Sequence, residues 1–179
     1  MEINRVWAMP NSETFKIKPI KLLIEKYLKN MGDNLLNHNI IDPFVRNSIF
    51  KNICSATNDL NPNITATENM EALEFLKTIE SSSVDFLFFD PPYSFRQIKE
   101  CYNGIGLKVH QSDTQGSFYS KKKDEISRIM KKGGIVMSFG WSSMGICKSR
   151  GFEIKEVLMV PHGGSKYDTI CTVDVKINE

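Results

Sequence analysis

Apolar residues along the chain recur at two spacings, and the alternation between them sets the first expectations. Between 19 and 30, "PIKLLIEKYLKN" places Ile20, Leu23, Ile24, Tyr27 and Leu28 on one helical stripe. Pro19 stands at a first-turn position, where a missing N–H costs nothing. "NHNIIDPFV" reads as a short strand broken at Asp42-Pro43, and "NICSAT" as a second strand running into the polar segment "NDLNPN". "TENMEALEFLKTIE" returns to helical spacing through Met70, Leu73, Leu76 and Lys77, with Thr67 as the expected N-cap. "SVDFLFF" is a continuous apolar run, as expected of a strand buried on both faces of a parallel sheet. From Ser94 to Phe118 the periodicity vanishes and Gly104, Gly106 and Gly116 appear. A long loop is expected there, the least ordered part of the chain. "SKKKDEISRIMKKGG" predicts a helix closed by glycine, and "IVMSFG" a further buried strand. "FEIKEVLMV" and "YDTICTVDVKI" flank "PHGGSK" as a hairpin.

One helix, then strands and helices in alternation, then an antiparallel pair: this order predicts an α/β three-layer sandwich. Its sheet should be mainly parallel, with helices on both faces and the C-terminal antiparallel hairpin at one edge. A length of 179 residues suits a single domain over 1–179, without a second. In such sheets ligands bind where loops leave the carboxyl ends of the strands. Asp42, Asp59 and Asp90 each follow a predicted strand, so the three acids should crowd one rim. Phe88 and Phe89 are expected in the core, and His110 and His162 on the surface. Trp7 is expected either under a ligand or filling a gap.

Composition narrows the class only slightly. No apolar stretch approaches the roughly 20 residues that cross a bilayer, and the N-terminus has no apolar signal core. A cytoplasmic protein without membrane contact is expected. Cys54, Cys101, Cys147 and Cys171 are scattered, with no Cys-x-x-Cys pair, so reduced thiols are expected and no metal site. A net charge of +2 is silent about nucleic acid. Lys and Arg do concentrate in "SKKKDEISRIMKK" and "CKSRG", which suits a solvated helix face as well as phosphate contacts.

The run "VDFLFFDPPYSF" ends on an acid, two prolines and an aromatic. A strand-stopping turn accounts for the prolines, and chemistry gives them a further use. The Asp-Pro-Pro-Tyr run resembles the catalytic motif of DNA amino-methyltransferases. The resemblance implies methylation of an exocyclic amine, whose nitrogen lone pair must be aimed at the methyl donor. In adenine that lone pair is delocalised into the ring, so acceptors on its N–H groups assist by stabilising the positive charge that develops. The Asp90 carboxylate can be one acceptor and the Pro91 carbonyl another. Pro91 and Pro92 stiffen the backbone and remove competing N–H donors. Tyr93 offers a face on which an extruded base can stack.

Four segments in order carry a family resemblance: Lys18-Pro19 before a helix, "IIDPFVRNS", "NDLNP" and "DPPY". Together they resemble the S-adenosylmethionine-dependent DNA amino-methyltransferases of the N6-adenine type. The resemblance implies a class I, Rossmann-like methyltransferase fold with a seven-stranded sheet. It implies a catalytic motif at Asp90, Pro91, Pro92 and Tyr93. It further implies an S-adenosylmethionine site formed by Lys18, Pro19, Asp42, Pro43, Phe44, Asp59, Asn61 and Asp90. The family has glycines where this chain has Arg46 and Ser48, so Asn47 or Ser48 is expected to supply contacts along another path, or the cofactor to bind weakly.

No separate target-recognition region fits beside the catalytic segments. Arg96, Lys99, Lys108, Lys121, Lys122 and Lys123 are the candidate phosphate contacts to DNA, which would position a duplex without reading it. Recognition is therefore expected to be loose, or to need a homodimer or a second subunit. A solitary, phage-borne or restriction-modification enzyme is the leading expectation. The alternatives are an RNA base methyltransferase, such as one acting on guanine N2 of ribosomal RNA, and a catalytically degenerate partner subunit that binds nucleic acid.

Overall fold

The computed structural model describes residues 1–109, 117–164 and 166–178. Seven strands form a single sheet: β1 (Glu2–Arg5), β2 (Ile40–Asp42), β3 (Ala56–Thr57), β4 (Val84–Phe89), β5 (Met130–Gly140), β6 (Phe152–Val160) and β7 (Thr169–Lys176). Their spatial order is β1-β6-β7-β5-β4-β2-β3. All neighbours run parallel except β7, which is antiparallel to both β5 and β6.

The described residues also form helices α1 (Lys18–Asn30), α2 (Ala72–Thr78), α3 (Phe95–Gly104) and α4 (Ser117–Ile129), with short turns of 3-10 helix between elements. The buried stripe of α1, formed by Ile20, Leu23, Ile24 and Leu28, joins a core with Phe86, Phe88, Met137 and Val173. Phe75 and Leu76 of α2 and Ile126 and Ile129 of α4 join Leu87, Phe89 and Val136 in a second core. Alternate residues of β4 thus enter opposite cores, which is why its sequence is continuously apolar. Each fully buried Phe contributes about 1.5–3 kcal/mol of burial free energy, so β4 is the mechanical base for whatever follows it.

Several details differ from expectation. The C-terminal hairpin is not at the edge, because β1 pairs outside β6, Ile3 beside Val157. A strand of four mostly exposed residues leaves little pattern to read. The segment after Ser94 is not all loop: α3 occupies its first ten residues, capped by the Ser94 side chain, which accepts from the Gln97 amide. Its buried residues are only Ile98 and Tyr102, too few to show as a period. Thr67 does not cap α2. It exchanges hydrogen bonds with Thr57, amide to hydroxyl in both directions at 3.0 Å, and α2 begins five residues later without a side-chain cap. "NICSAT" begins in a turn of 3-10 helix, Lys51–Ile53, and only Ala56–Thr57 is strand. Glycine does not close α4 either: β5 starts at Met130, and Gly133, at φ 82°, lies opposite the pairing irregularity between Val84 and Phe86.

Candidate active site

Three parallel strands end at one rim. Asp42 closes β2, Asp59 follows β3, and Asp90 follows β4. The acids are electrostatically coupled: Asp90 and Asp59 both act on Asp42 as like charges. The rim expected from the sequence is therefore present.

Asp42 is fully buried. Its Oδ1 accepts the Phe44 amide at 3.0 Å, while Oδ2 has no hydrogen-bond partner among the described residues. Burial pushes its carboxyl up to about 8, the Phe44 amide opposes this, and the neighbouring acids add to it. Asp59 is buried as well. Its two oxygens accept the Arg46 amide at 3.0 Å and the Asn61 amide at 2.8 Å. Asn61 in turn accepts the Asn63 amide. Asp59 and Asn61 therefore make turns of the Asx type and hold the loops in shape.

The loop after β2 makes its turn without a glycine. Arg46 itself adopts a left-handed conformation at φ 42°, and its amide is fixed by Asp59. A small hollow of about 30 Å³ lies above this loop, lined by Glu13–Lys16, Phe44–Ile49 and Asp90. Lys18 and Pro19 do not line it. Lys18 is exposed at the start of α1, and the preceding segment Glu13–Lys16 lines the hollow instead. Pro43 is buried beneath, and its carbonyl accepts from Asn58.

The Asp90–Tyr93 turn is held from three sides. The Tyr93 hydroxyl donates to Asp90 Oδ1 at 2.6 Å and lies 3.3 Å from the Thr14 hydroxyl. The Tyr93 amide donates to Gln97 Oε1 at 2.6 Å, and the Tyr119 hydroxyl donates to the Pro92 carbonyl at 2.6 Å. The Pro91 carbonyl takes part in none of these bonds. Burial raises the Asp90 pKa, while bonds from Tyr93 and Thr14 and the charge of Arg46 hold it down. Burial and the Asp90 charge together raise the Tyr93 phenol, which keeps it a donor. Tyr93 is thus a support for Asp90 through its hydroxyl, a role the sequence did not suggest.

A second hollow, of about 300 Å³, opens on the other side of the turn. Pro91, Pro92 and Tyr93 form one wall, Tyr119 and Lys123 another, and Ser138 with Gly140–Ser142 the third. Trp141 meets Tyr93 edge-on at 6.0 Å between centroids and Tyr167 in a tilted stack at 4.4 Å. Trp141 lacked a periodic context in the sequence, and only its proximity to Tyr93 in space marks it, while Tyr167 enters through its contact with Trp141.

The candidate phosphate contacts separate into groups. Arg96, Lys99, Lys108 and Lys121 are exposed, with Arg96 paired to Glu100. Lys123 is half-buried and donates to the Gly145 carbonyl. Lys122 is not a surface cation: only 2% of its side chain is exposed, with Nζ 2.7 Å from Glu71 and 3.3 Å above the Phe118 ring. His162 is not on the surface either. It is buried between the Ala8 carbonyl and the Thr169 hydroxyl, at 2.9 Å from each. Trp7 is 60% exposed and lines neither hollow. His110 lies outside the described residues. No helix among the described residues is long and apolar enough to cross a membrane.

No family model matches the chain, and no curated protein does. Solved structures do. The candidate methylase HI0767 from Haemophilus influenzae superimposes with a TM-score of 0.57 at 9% identity, over 90% of this chain and 98% of that one. A candidate S-adenosylmethionine-dependent methyltransferase from Listeria monocytogenes gives 0.55 at 9% identity, over 86% and 96%. SMU.776, a candidate methyltransferase complexed with SAH, gives 0.50 at 12% identity, over 83% of this chain and 49% of that one. At these identities the likeness is one of fold. The chain has the class I methyltransferase fold, a mostly parallel seven-stranded sheet with an antiparallel C-terminal pair.

Proposed function

We propose that the chain is an S-adenosylmethionine-dependent methyltransferase acting on the exocyclic amine of a nucleic-acid base, with adenine N6 in DNA as its target. One observation carries the reading: two hollows meet across one rigid turn, Asp90 bordering the first and Pro91–Tyr93 the second. A methyl donor and an acceptor amine need that arrangement, one on each side of a fixed set of hydrogen-bond acceptors.

S-adenosylmethionine, when bound, supplies a methyl group on a positively charged sulfur. The first hollow suits it in chemistry: Phe15 and Phe44 give apolar surface, Asn47 and Ser48 give polar groups, and Asp90 gives negative charge at the inner end. It is narrow, about 30 Å³, so a ligand of that size requires the lining to open. On the other side, Asp90 accepts one N–H of the amine and the Pro91 carbonyl accepts the other. Tyr93 keeps the carboxylate oriented and ionised by donating to it. As the amine gains positive charge, both acceptors bind it more strongly, which favours the transition state over the ground state. Asp90, whose affinity for a proton burial increases, then takes the proton that the methylated amine sheds. Loose recognition, a homodimer or a second subunit would complete target choice, with Arg96, Lys99, Lys108 and Lys121 on phosphates.

The test is transfer of radiolabel from S-adenosylmethionine to duplex DNA, single-stranded DNA or ribosomal RNA, followed by identification of the modified nucleoside. Labelled N6-methyladenine in DNA, abolished by Asp90→Ala, is the expected result. Label in guanine N2 of RNA would overturn the DNA assignment and retain the chemistry. The narrowness of the first hollow favours one other reading, a non-catalytic nucleic-acid-binding partner. Calorimetry showing no S-adenosylmethionine binding would select it.

A further inference from the structure

Ser138 and Trp141 stand out in the second hollow for different reasons. Ser138 lies on β5, in register with Phe89, the residue before Asp90. It lines the hollow, yet its hydroxyl oxygen is buried with no hydrogen-bond partner among the described residues. Leaving a buried hydroxyl unpaired costs about 1–3 kcal/mol, so a group that pairs with it on binding recovers that cost. Trp141, 40% exposed, forms a wall of the same hollow, with Tyr167 stacked against it and Tyr93 edge-on. Pro91, Pro92 and Tyr93 add flat, mostly apolar surface, while Tyr119, Ser142 and the half-buried Lys123 add polar groups. Such a slot suits a planar, heteroaromatic group with a hydrogen-bonding edge.

We infer that Ser138 and Trp141 bind the target base: an unpaired nucleobase stacks on Trp141 while the Ser138 hydroxyl hydrogen-bonds its ring edge. Tyr167 packs against Trp141 at 4.4 Å between ring centroids. The inference deepens the methyltransferase reading and rests on it for the identity of the base. It adds Trp141 as a stacking surface beside Tyr93, whose hydroxyl is committed to Asp90. Base–aromatic stacking tolerates any base, so Ser138 is the group in this pair with power to discriminate ring edges.

The chain has two tryptophans, so Trp7→Phe leaves Trp141 as the sole indole reporter. Titration of that protein with single-stranded oligo(dA) should quench its emission saturably. Adding Ser138→Ala should weaken the binding roughly two- to tenfold, the range that one hydrogen bond provides. Because the hydroxyl has no internal partner, Ser138→Ala should leave the melting temperature unchanged or raised, which separates lost binding from lost folding. In the transfer assay, Trp141→Ala should raise KM for nucleic acid tenfold or more and leave the affinity for S-adenosylmethionine unchanged. No quenching, or unchanged affinity in Ser138→Ala, overturns the inference. Quenching without methyl transfer in any assay would retain the base site and overturn the enzyme reading. Transfer with wild-type KM in both variants would do the reverse.

Discussion

The amide of Arg46 donates to Asp59 Oδ2 at 3.0 Å while Arg46 holds a left-handed φ of 42°. A residue with a Cβ costs about 1–2 kcal/mol in that conformation, and the Asp59 bond offsets part of it. Arg46→Gly removes the steric cost but adds roughly 0.5–1 kcal/mol of chain entropy in the unfolded state. The expected net gain is therefore small, at most about 1 kcal/mol, or about 2–4 °C in Tm for a domain of this size. Arg46→Ala keeps the Cβ and should gain nothing. Equal stabilisation by Ala and Gly in thermal melts would mean that backbone conformation is not the cause.

A second prediction concerns protonation at the turn. Burial raises the Asp90 pKa and the Tyr93 hydroxyl opposes that rise. Tyr93→Phe removes the opposing bond and keeps the ring, so the Asp90 pKa should climb further. Activity that needs the carboxylate should then appear only at higher pH, with the acidic limb of kcat/KM displaced upward relative to wild type. A limb that stays in place would assign it to another group.

The lysines of α4 give a third. Lys121 is exposed, and Lys122 is buried against Glu71 and Phe118. If Lys121 contacts a phosphate, Lys121→Ala should lower duplex affinity and reduce the slope of log affinity against log salt by about 0.9. Lys122→Ala should lower Tm with no change in that slope, because it leaves the Glu71 carboxylate without this cation. Filter binding across a salt series, beside melting curves, distinguishes the two.

How far the sequence reveals such a site depends on whether its signals are local. The apolar run of β4 and the turn at Asp90–Tyr93 are contiguous, and both appear where the spacing puts them. The gathering of Asp42, Asp59 and Asp90 follows from a rule about strand ends, so it too is legible. What stays hidden is made of distant partners. His162 looks like a loop residue until it is seen between Ala8 and Thr169. Thr14 meets Tyr93 across 79 positions. Lys122 is the middle of three lysines, indistinguishable from its neighbours in sequence, and only the turn of α4 buries it. Helix α3 escapes because two buried residues on a polar segment leave no sustained period.

Asp42 provides the last prediction, on stability. An unfolded aspartate titrates near 3.8, and burial lifts Asp42 to about 8. Between those values the native protein holds a proton that the unfolded chain has released. The unfolded state therefore binds fewer protons, and stability falls as pH rises through this window, the loss being complete above about 8. Asp42→Asn cannot ionise, and its side-chain oxygen can still accept the Phe44 amide. It should match wild type near pH 4 and exceed it by a few kcal/mol near pH 9. Each tenfold difference in proton affinity between the folded and unfolded chains is worth about 1.4 kcal/mol, and structural relaxation reduces the sum. Urea denaturation at pH 4, 6.5 and 9 measures the difference directly. An advantage that shrinks toward alkaline pH would show that Asp42 carries its charge in the folded protein, stabilised by contacts other than those along β2.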